Sequence, residues 1–380
     1  MATALSCDLA IVGGGLAGGL AALALRARRP DLDVRLVEPG TIGGNHVWSF
    51  FDADLSAAGR ALIEGAVTWR WPGYDIAFPD LRRRLDQGYN SVSSDRFAAL
   101  VDRTLPRGAV VHAAATRLSA TGVDLADGGR IEAAGVVDAR GAGDLSMLKC
   151  GWQKFVGREL RLRHPHGLDR PVVMDATVPQ IDGFRFVYLL PFAADRIFVE
   201  DTYYSRSPAL DPQALSARID DYAAARGWEV VESTRYESGV LAVVSGGSFD
   251  ALWGSDGVAK IGVRAGSFHP TTGYSLPDAV RTACWLAAQP DLRGAALHDA
   301  ARARARASWK AAARYRLLDR MLFDAAPDLQ RYRVLQHFYG KDPSVISRFY
   351  AGQSTAFDFA RILTGRPPVP VGAAIRALVR

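Results

Sequence analysis

The chain has 380 residues, 49% of them apolar, which is enough for two domains, or one large one with insertions, around a substantial core. Its formal net charge is +6, but it carries no zinc spacing, aromatic RNA-binding pattern or basic arm, so no nucleic-acid partner is expected and an anionic membrane surface is the alternative. The three cysteines, Cys7, Cys150 and Cys284, are odd in number and far apart, which points to a reducing compartment and to no metal cluster.

The first element is an uncharged run from Leu9 to Leu25. Asp8 precedes it where a signal sequence has a basic region, five glycines interrupt it, and it is short for a membrane span. It reads instead as a strand, a glycine turn and an Ala/Leu helix. Gly13, Gly15 and Gly18 match the G-x-G-x-x-G spacing. The first permits the tight turn, the second lets the backbone approach a pyrophosphate, and the third lets the helix pack closely on the sheet. The candidate phosphate cradle is therefore Gly13, Gly14, Gly15, Leu16, Ala17 and Gly18, with helix N–H groups facing the anion. The segment "DVRLVEP" reads as the next strand, and Glu38 near its end lies twenty residues past Gly18, placed to accept a bond from a ribose hydroxyl.

Further along, "SSDRFAALVDRTL" reads as a helix capped by Ser93 or Ser94. The segment "AVVHAAATRLS" reads as one strand, and another ends at Asp138 before a turn through Gly141 and Gly143. "RIFVEDTYYS", Arg196 to Ser205, is dense in β-branched and aromatic residues and reads as a strand with two acids at its centre. Strand alternation sends Glu200 and Asp201 to opposite faces. The bland alternative is a solvated edge strand with one hydrogen-bonded acid. The segment "VAKIGVRAGSFHPTTGYSLPDAVRTACWLA" reads as strand, loop and helix. Within it, Thr271, Thr272 and Gly273 are positioned to cap the helix. Ala301 to Phe323 reads as a helix with a basic stripe at Arg302, Arg306, Lys310 and Arg314. Such a stripe suits either an interfacial helix or the solvated face of a helix that packs inward.

The element order resembles that of the flavoprotein superfamily of para-hydroxybenzoate hydroxylase, which favours FAD over NAD. In that fold the late strand-loop-helix carries the second FAD contact. The stretches "GGNHVWSF", "GWQKFVGRELRL", "GFRFVYLLPFAADRIFVEDTYYS", "GVRAGSFHPTTGYSLPDAV" and "RFYAGQSTAFDFARILTGRPPVP" together resemble one family within it, the bacterial lycopene β-cyclases. The likeness runs across nearly the whole chain. Arg264 stands where hydroxylases place the Asp that holds the ribityl chain, a departure that the cyclases share.

The resemblance implies an α/β (α+β) fold: a Rossmann-like FAD-binding domain of the para-hydroxybenzoate hydroxylase type, an inserted antiparallel sheet for substrate, and a C-terminal helical region. The expected division is 1–80, 81–150 and 256–295 for the FAD-binding parts, 151–255 for the substrate sheet, and 296–380 for the helical region with possible membrane contact. The implied reaction is proton-initiated closure of the ψ-ends of lycopene and related carotenoids to β-rings. It is a non-redox isomerisation that needs reduced FAD, with NADPH as the reductant. The family's acidic motif maps the proton donor onto Glu200, favoured over Asp201, while His269 is a third candidate close to the expected flavin position. Asp138, Arg264 and the loop Thr271, Thr272, Gly273, Tyr274 complete the implied cofactor contacts. Location is expected to be cytoplasmic, peripheral to the inner membrane. An FAD monooxygenase or prenyl reductase of the same superfamily, and a non-catalytic prenyl-lipid carrier, are the rival readings.

Overall fold

The protein is described by a computed structural model over residues 5–365 and at positions 369, 370, 372 and 376. Residues 1–4 and the other C-terminal positions, which include part of the helical region expected over 296–380, lie outside the described residues.

The N-terminal strand Leu5–Val12 is the centre of a parallel array, with Val34–Val37 on one side and Arg130–Asp138 on the other. Such a strand is covered on both faces, which is why "LAIV" is uniformly apolar. Helix Leu16–Arg28 packs with helix Leu276–Ala287, and Leu9, Ile11, Leu20, Leu36, Val280 and Leu286 share one core. Strand Ala259–Lys260 pairs with Arg130–Asp138, bringing the late part of the chain back beside the first. The segment expected as a single strand over "AVVHAAATRLS" is two, Val110–Val111 and Ala115–Ser119, on opposite edges of this seven-stranded sheet. The chain breaks at His112–Ala114, where Ala113 N–H donates to Val111 O in a tight turn, and where the β-branched residues that favour a strand are missing. Helix Ser94–Thr104 is capped by Ser93, whose hydroxyl accepts from Arg96 N–H at 3.3 Å.

A second seven-stranded sheet runs in the order Val230–Gly247, Leu148–Leu162, Arg196–Ser205, Phe184–Ala193, Val172–Asp175, Tyr74–Phe78, Leu81–Leu85. Its pairs are antiparallel except that between Val172–Asp175 and Tyr74–Phe78. The acid-bearing strand is third of the seven, so it is an interior strand and not the solvated edge. The hairpin over 74–85 straddles the expected division at residue 80 and belongs wholly to this sheet. A small third sheet, Val47–Phe51, Tyr89–Ser93 and Val67–Trp71, lies between them in the chain.

The faces of the second sheet separate cleanly with period two. Phe184, Phe186, Phe198 and Tyr204 on one face join a core with the C-terminal helices, through Phe323, Phe338, Tyr339 and Phe349. Val156, Val187, Val199 and Tyr203 on the other face pack against Leu215, Ile219 and Tyr222 of helix Pro212–Ala225.

The basic segment 301–323 is not one interfacial helix. It is the end of helix Gly294–Ala311 and most of helix Ala313–Asp324. Arg302 and Arg306 both bond Asp250, and Arg316 lies over the Trp309 ring at 4.1 Å. Leu322 and Phe323 are buried in the core rather than offered to lipid. Half of the expected stripe is therefore tied to protein. Among the described residues no helix is long and apolar enough to cross a membrane.

Candidate active site

A cavity of about 740 Å³ lies between the two large sheets, with the glycine loop at one end and Glu200 at the other. Each of the three fingerprint glycines has a different geometric reason to be glycine. Gly13 has φ 108°, and a Cβ there would sit 2.6 Å from Ala139 O. A Cβ on Gly18 would lie 1.9 Å from Gly13 O, so close packing of helix on strand forbids it. A Cβ on Gly15 meets nothing within 4 Å. That side of the loop is open cavity, which is where a pyrophosphate would approach. Gly15 is the N-cap of helix Leu16–Arg28 with no side-chain cap, leaving the first N–H groups for an anion.

Gly13, Gly15, Leu16, Ala17 and Glu38 line the cavity, whereas Gly14 and Gly18 lie behind it. Glu38 accepts from Gly14 N–H at 2.7 Å and from Gly40 N–H at 2.9 Å, which presents its carboxylate at the loop. Asp138 is also behind the wall. It is buried, holds Arg140 at 2.8 Å, and lies 3.4 Å from Arg264, while Arg140 itself lines the cavity. Burial raises the proton affinity of Asp138, but the Arg140 and Arg264 contacts outweigh it and the net shift is downward. Asp138 and Arg264, both expected cofactor contacts, are paired with each other off the cavity wall, and it is Arg140, bonded to Asp138, that lines the cavity. Gln153 lines the cavity with a buried Oε1 that has no hydrogen-bond partner among the described residues. An acceptor left unpaired at that depth suits a ligand donor.

The loop 269–275 forms the floor. Thr272, Gly273 and Tyr274 line the cavity, and Gly273 has φ 69°. Thr271 lies beneath, its carbonyl accepting from Tyr204 Oη. Helix Leu276–Ala287 has Ser275 at its N-cap and no side-chain cap, so the expected capping by Thr271 to Gly273 does not occur. His269 does that organising work instead. Its Nε2 is 2.8 Å from Phe349 O, and its Nδ1 accepts from the N–H groups of Thr271 and Thr272. Burial pushes His269 down to about 4, so it is neutral, as an Nδ1 acceptor must be. It is not on the cavity wall and serves as the support of the floor. Asp319 is fully buried, with burial raising it well above the usual carboxylate range. The region expected to face membrane thus sends an acid into the core.

Glu200 opens into the cavity from the interior strand, and Asp201 does not. Asp201 is fully buried on the opposite face, 2.7 Å from Arg185 Nε and 2.7 Å from the Tyr203 hydroxyl that donates to it. Through Tyr203, whose hydroxyl also accepts from Arg218, it is linked to helix Pro212–Ala225. Burial pushes Glu200 up to about 8 from an ordinary 4.5, reinforced by the negative charge of Glu237 and opposed by a hydrogen bond from Thr202 Oγ1 at 2.6 Å. A carboxyl so placed is protonated at neutral pH.

Register sets the company of Glu200. Tyr188, Glu200, Gly157 and Glu237 occupy one row across four neighbouring strands, all on the cavity face. The Tyr188 hydroxyl is 2.7 Å from that of Tyr89, which is 2.7 Å from that of Tyr274. Ser49 Oγ adds a bond to Tyr188 at 2.8 Å. Tyr188, Tyr204, Tyr274, Phe155 and Phe186 supply aromatic surface around the acid. Of the aromatics the sequence offers near the two acids and the late loop, Tyr204, Phe268 and Tyr274 line the cavity and Tyr203 is on the other face, while Tyr188, Tyr89, Glu237 and Gln153 are not marked by the sequence. Their spacing in the chain carries no signal, because cross-strand pairing brings them together.

A family model described as lycopene cyclase protein matches residues 8–376. The lycopene beta-cyclase of Pseudescherichia vulneris is 45% identical over 97% of this chain and 96% of its own. That of Pantoea ananas is 44% identical over 98% of each. Among solved structures, a geranylgeranyl bacteriochlorophyll reductase-like protein from Thermoplasma acidophilum superposes with a TM-score of 0.61 at 13% identity, covering 100% of this chain and 97% of its own. The tetrameric form of 2-methyl-3-hydroxypyridine-5-carboxylic acid oxygenase gives 0.59 at 15% identity, covering 97% and 100%. These likenesses bear on fold alone, and they agree with the expected para-hydroxybenzoate hydroxylase type of architecture.

Proposed function

We propose that this chain, which belongs to the lycopene cyclase family, is a lycopene β-cyclase in which Glu200 protonates the terminal double bond of lycopene. The observation that carries the assignment of the acid is a carboxyl on the wall of an aromatic cavity, kept protonated by its surroundings up to about pH 8. Alkene protonation needs an acid that water has not already ionised, and burial supplies it.

Glu200 gives its proton to carbon 2, leaving a tertiary cation at carbon 1. The double bond between carbons 5 and 6 attacks that cation, a bond forms between carbons 1 and 6, and the charge moves to carbon 5. A proton then leaves carbon 6. The Tyr188 and Tyr274 rings face this space, and aromatic faces stabilise a cation by about 0.5–2 kcal/mol each. Thr202 holds the Glu200 carboxyl in place through its 2.6 Å bond.

The cavity's other end fits FAD: the open side of Gly15, the free helix N–H groups, Glu38 at ribose distance in sequence, and the unpaired Gln153 acceptor. When bound in reduced form, FAD supplies an electron-rich ring that favours nearby positive charge, and NADPH is the proposed source of its electrons. Substrate reaches the site from a membrane surface, so the proposed location is peripheral, and cavity-lining Val240 and Leu241, each more than a third exposed, give the mouth an apolar rim.

The test is to run the purified enzyme with lycopene in heavy water, without oxygen and with dithionite. Each ring closed is expected to carry one deuterium at carbon 2 and otherwise the composition of lycopene. Label taken from deuterated NADPH would make the protein a reductase, and a strict need for oxygen would make it a hydroxylase.

A further inference from the structure

Ring closure releases a proton as well as consuming one, and the acid that starts the reaction is on the wrong carbon to collect it. Glu237 has the geometry for that second task. It lies in the same register row as Glu200, with Gly157 between them, so both carboxyls project from one face two strands apart. At the usual strand spacing this separates their backbones by about 10 Å. The glycine leaves the wall between them without a side chain, and the Phe198 ring fills the place where its Cβ would be.

The two acids have different surroundings. Glu200 receives a bond from the Thr202 hydroxyl. Glu237 has one oxygen 2.9 Å from His46 Nδ1, and its other oxygen accepts from Val47 N–H at 3.1 Å. A backbone N–H can only donate, so Val47 holds one Glu237 oxygen as an acceptor while the other faces the His46 ring.

The pair is also built, not incidental. The loop carrying His46 is tied to the strand carrying Glu237 at two further points. Asn45 Nδ2 donates to Tyr236 O at 2.9 Å, and Arg235 bonds both Asn45 O and Asp95. Glu237 is only 4% exposed yet lines the cavity, while the His46 side chain is 44% exposed. His46 lines the cavity as well, so both members of the dyad reach it.

Resting on the cyclase reading above, we propose that Glu237 is the catalytic base that takes the proton from carbon 6, and that His46 is a positioning residue that orients its carboxylate and passes the proton to solvent. The carbon–hydrogen bond at carbon 6 breaks, its electron pair becomes the double bond between carbons 5 and 6, and the proton forms an O–H bond on Glu237. Neutral His46 takes that proton at Nδ1 and releases one from Nε2 to water, which restores the base, while Glu200 takes a fresh proton. One proton enters and one leaves.

The identity of the ring reports which proton was lost. Loss from carbon 6 gives a β-end, from carbon 4 an ε-end, from the methyl on carbon 5 an exocyclic alkene, and capture by water a tertiary alcohol. Glu237→Gln, matched to wild type in flavin content, is expected to close rings about 10²–10⁴-fold more slowly. Its residual product is expected to include ε-ended, exocyclic or hydroxylated rings, still carrying solvent deuterium at carbon 2. Glu237→Asp is expected to recover β-ends in part, and His46→Gln to slow turnover with a smaller shift of ring type. A flavin-loaded Glu237→Gln whose rings are all β-ended, at whatever rate, overturns the assignment. Should that variant fail to fold, wholly β-ended product at wild-type rate from both Glu237→Asp and His46→Gln does the same. Failure of the wild type itself to close rings would instead overturn the cyclase reading.

Discussion

Glu200→Gln separates chemistry from stability, because the same burial that makes the acid useful makes it costly. The amide is nearly isosteric and can still accept the Thr202 bond, but it has no proton to give. Ring closure is expected to fall by at least the 10²–10⁴-fold typical of a lost general acid. Stability is expected to move the other way. The folded chain holds the Glu200 proton up to about pH 8, while the ordinary carboxyl value is 4.5. Raising the pH through that window strips the proton from the unfolded chain first, so the folded state binds more protons and wild-type stability falls. With 1.36 kcal/mol per pH unit, the fall attributable to this one group between pH 5 and pH 8 is about 3 kcal/mol. Glutamine does not titrate, so the variant escapes that part of the slope. Urea unfolding of both flavin-loaded proteins at pH 5 and pH 8 measures the difference directly. The variant should gain on the wild type by about 3 kcal/mol across the window. Parallel pH profiles for the two proteins would refute the protonated acid, as would appreciable ring closure by Glu200→Gln.

The other expectations concern the parts around that acid. Gly15→Val should fold and lose flavin absorbance, because its side chain enters the open side of the loop, whereas Gly18→Val should fail to fold, because even a Cβ there lies 1.9 Å from Gly13 O; full flavin content in folded Gly15→Val would contradict the placement. Asp201→Asn should lower stability by about 3–5 kcal/mol, since it leaves the buried Arg185 without its counter-charge, and its turnover per folded molecule should stay within a few-fold of wild type. A dead but stable Asp201→Asn, read by thermal melting and pigment chromatography, would exchange the roles given to the two acids. His269, pushed down to about 4 from 6.5, is neutral when folded, so acidification through that window charges the unfolded chain first and removes about 3 kcal/mol of stability. His269→Gln should flatten that acid slope in a melting series, and an unchanged slope would mean that the imidazole is not held neutral.

Much of this was legible in the chain before folding. A glycine spacing, an apolar strand ahead of it and an acid twenty residues on specify a dinucleotide loop, because backbone approach and positive φ depend on residues within a few positions. Strand alternation likewise sends Glu200 and Asp201 to opposite faces. It does not say which face meets the cavity, and the answer came from the interior position of the strand and from the helix Pro212–Ala225 that covers the other side. Local pattern also overstated the basic stripe of 301–323, since Asp250, which pairs with Arg302 and Arg306, is some fifty residues away. His269 could be read from the sequence either as a reacting group or as a hydrogen-bonded loop residue, and the partner that fixes its ring, Phe349 O, comes from a helix eighty residues on. The row of Tyr188, Glu200, Gly157 and Glu237 exists only through the register of four strands, and the pairing of His46 with Glu237 spans 191 positions. Short-range stereochemistry is written in the sequence. The proton affinity of a carboxyl is decided by whatever long-range packing places beside it and removes from around it.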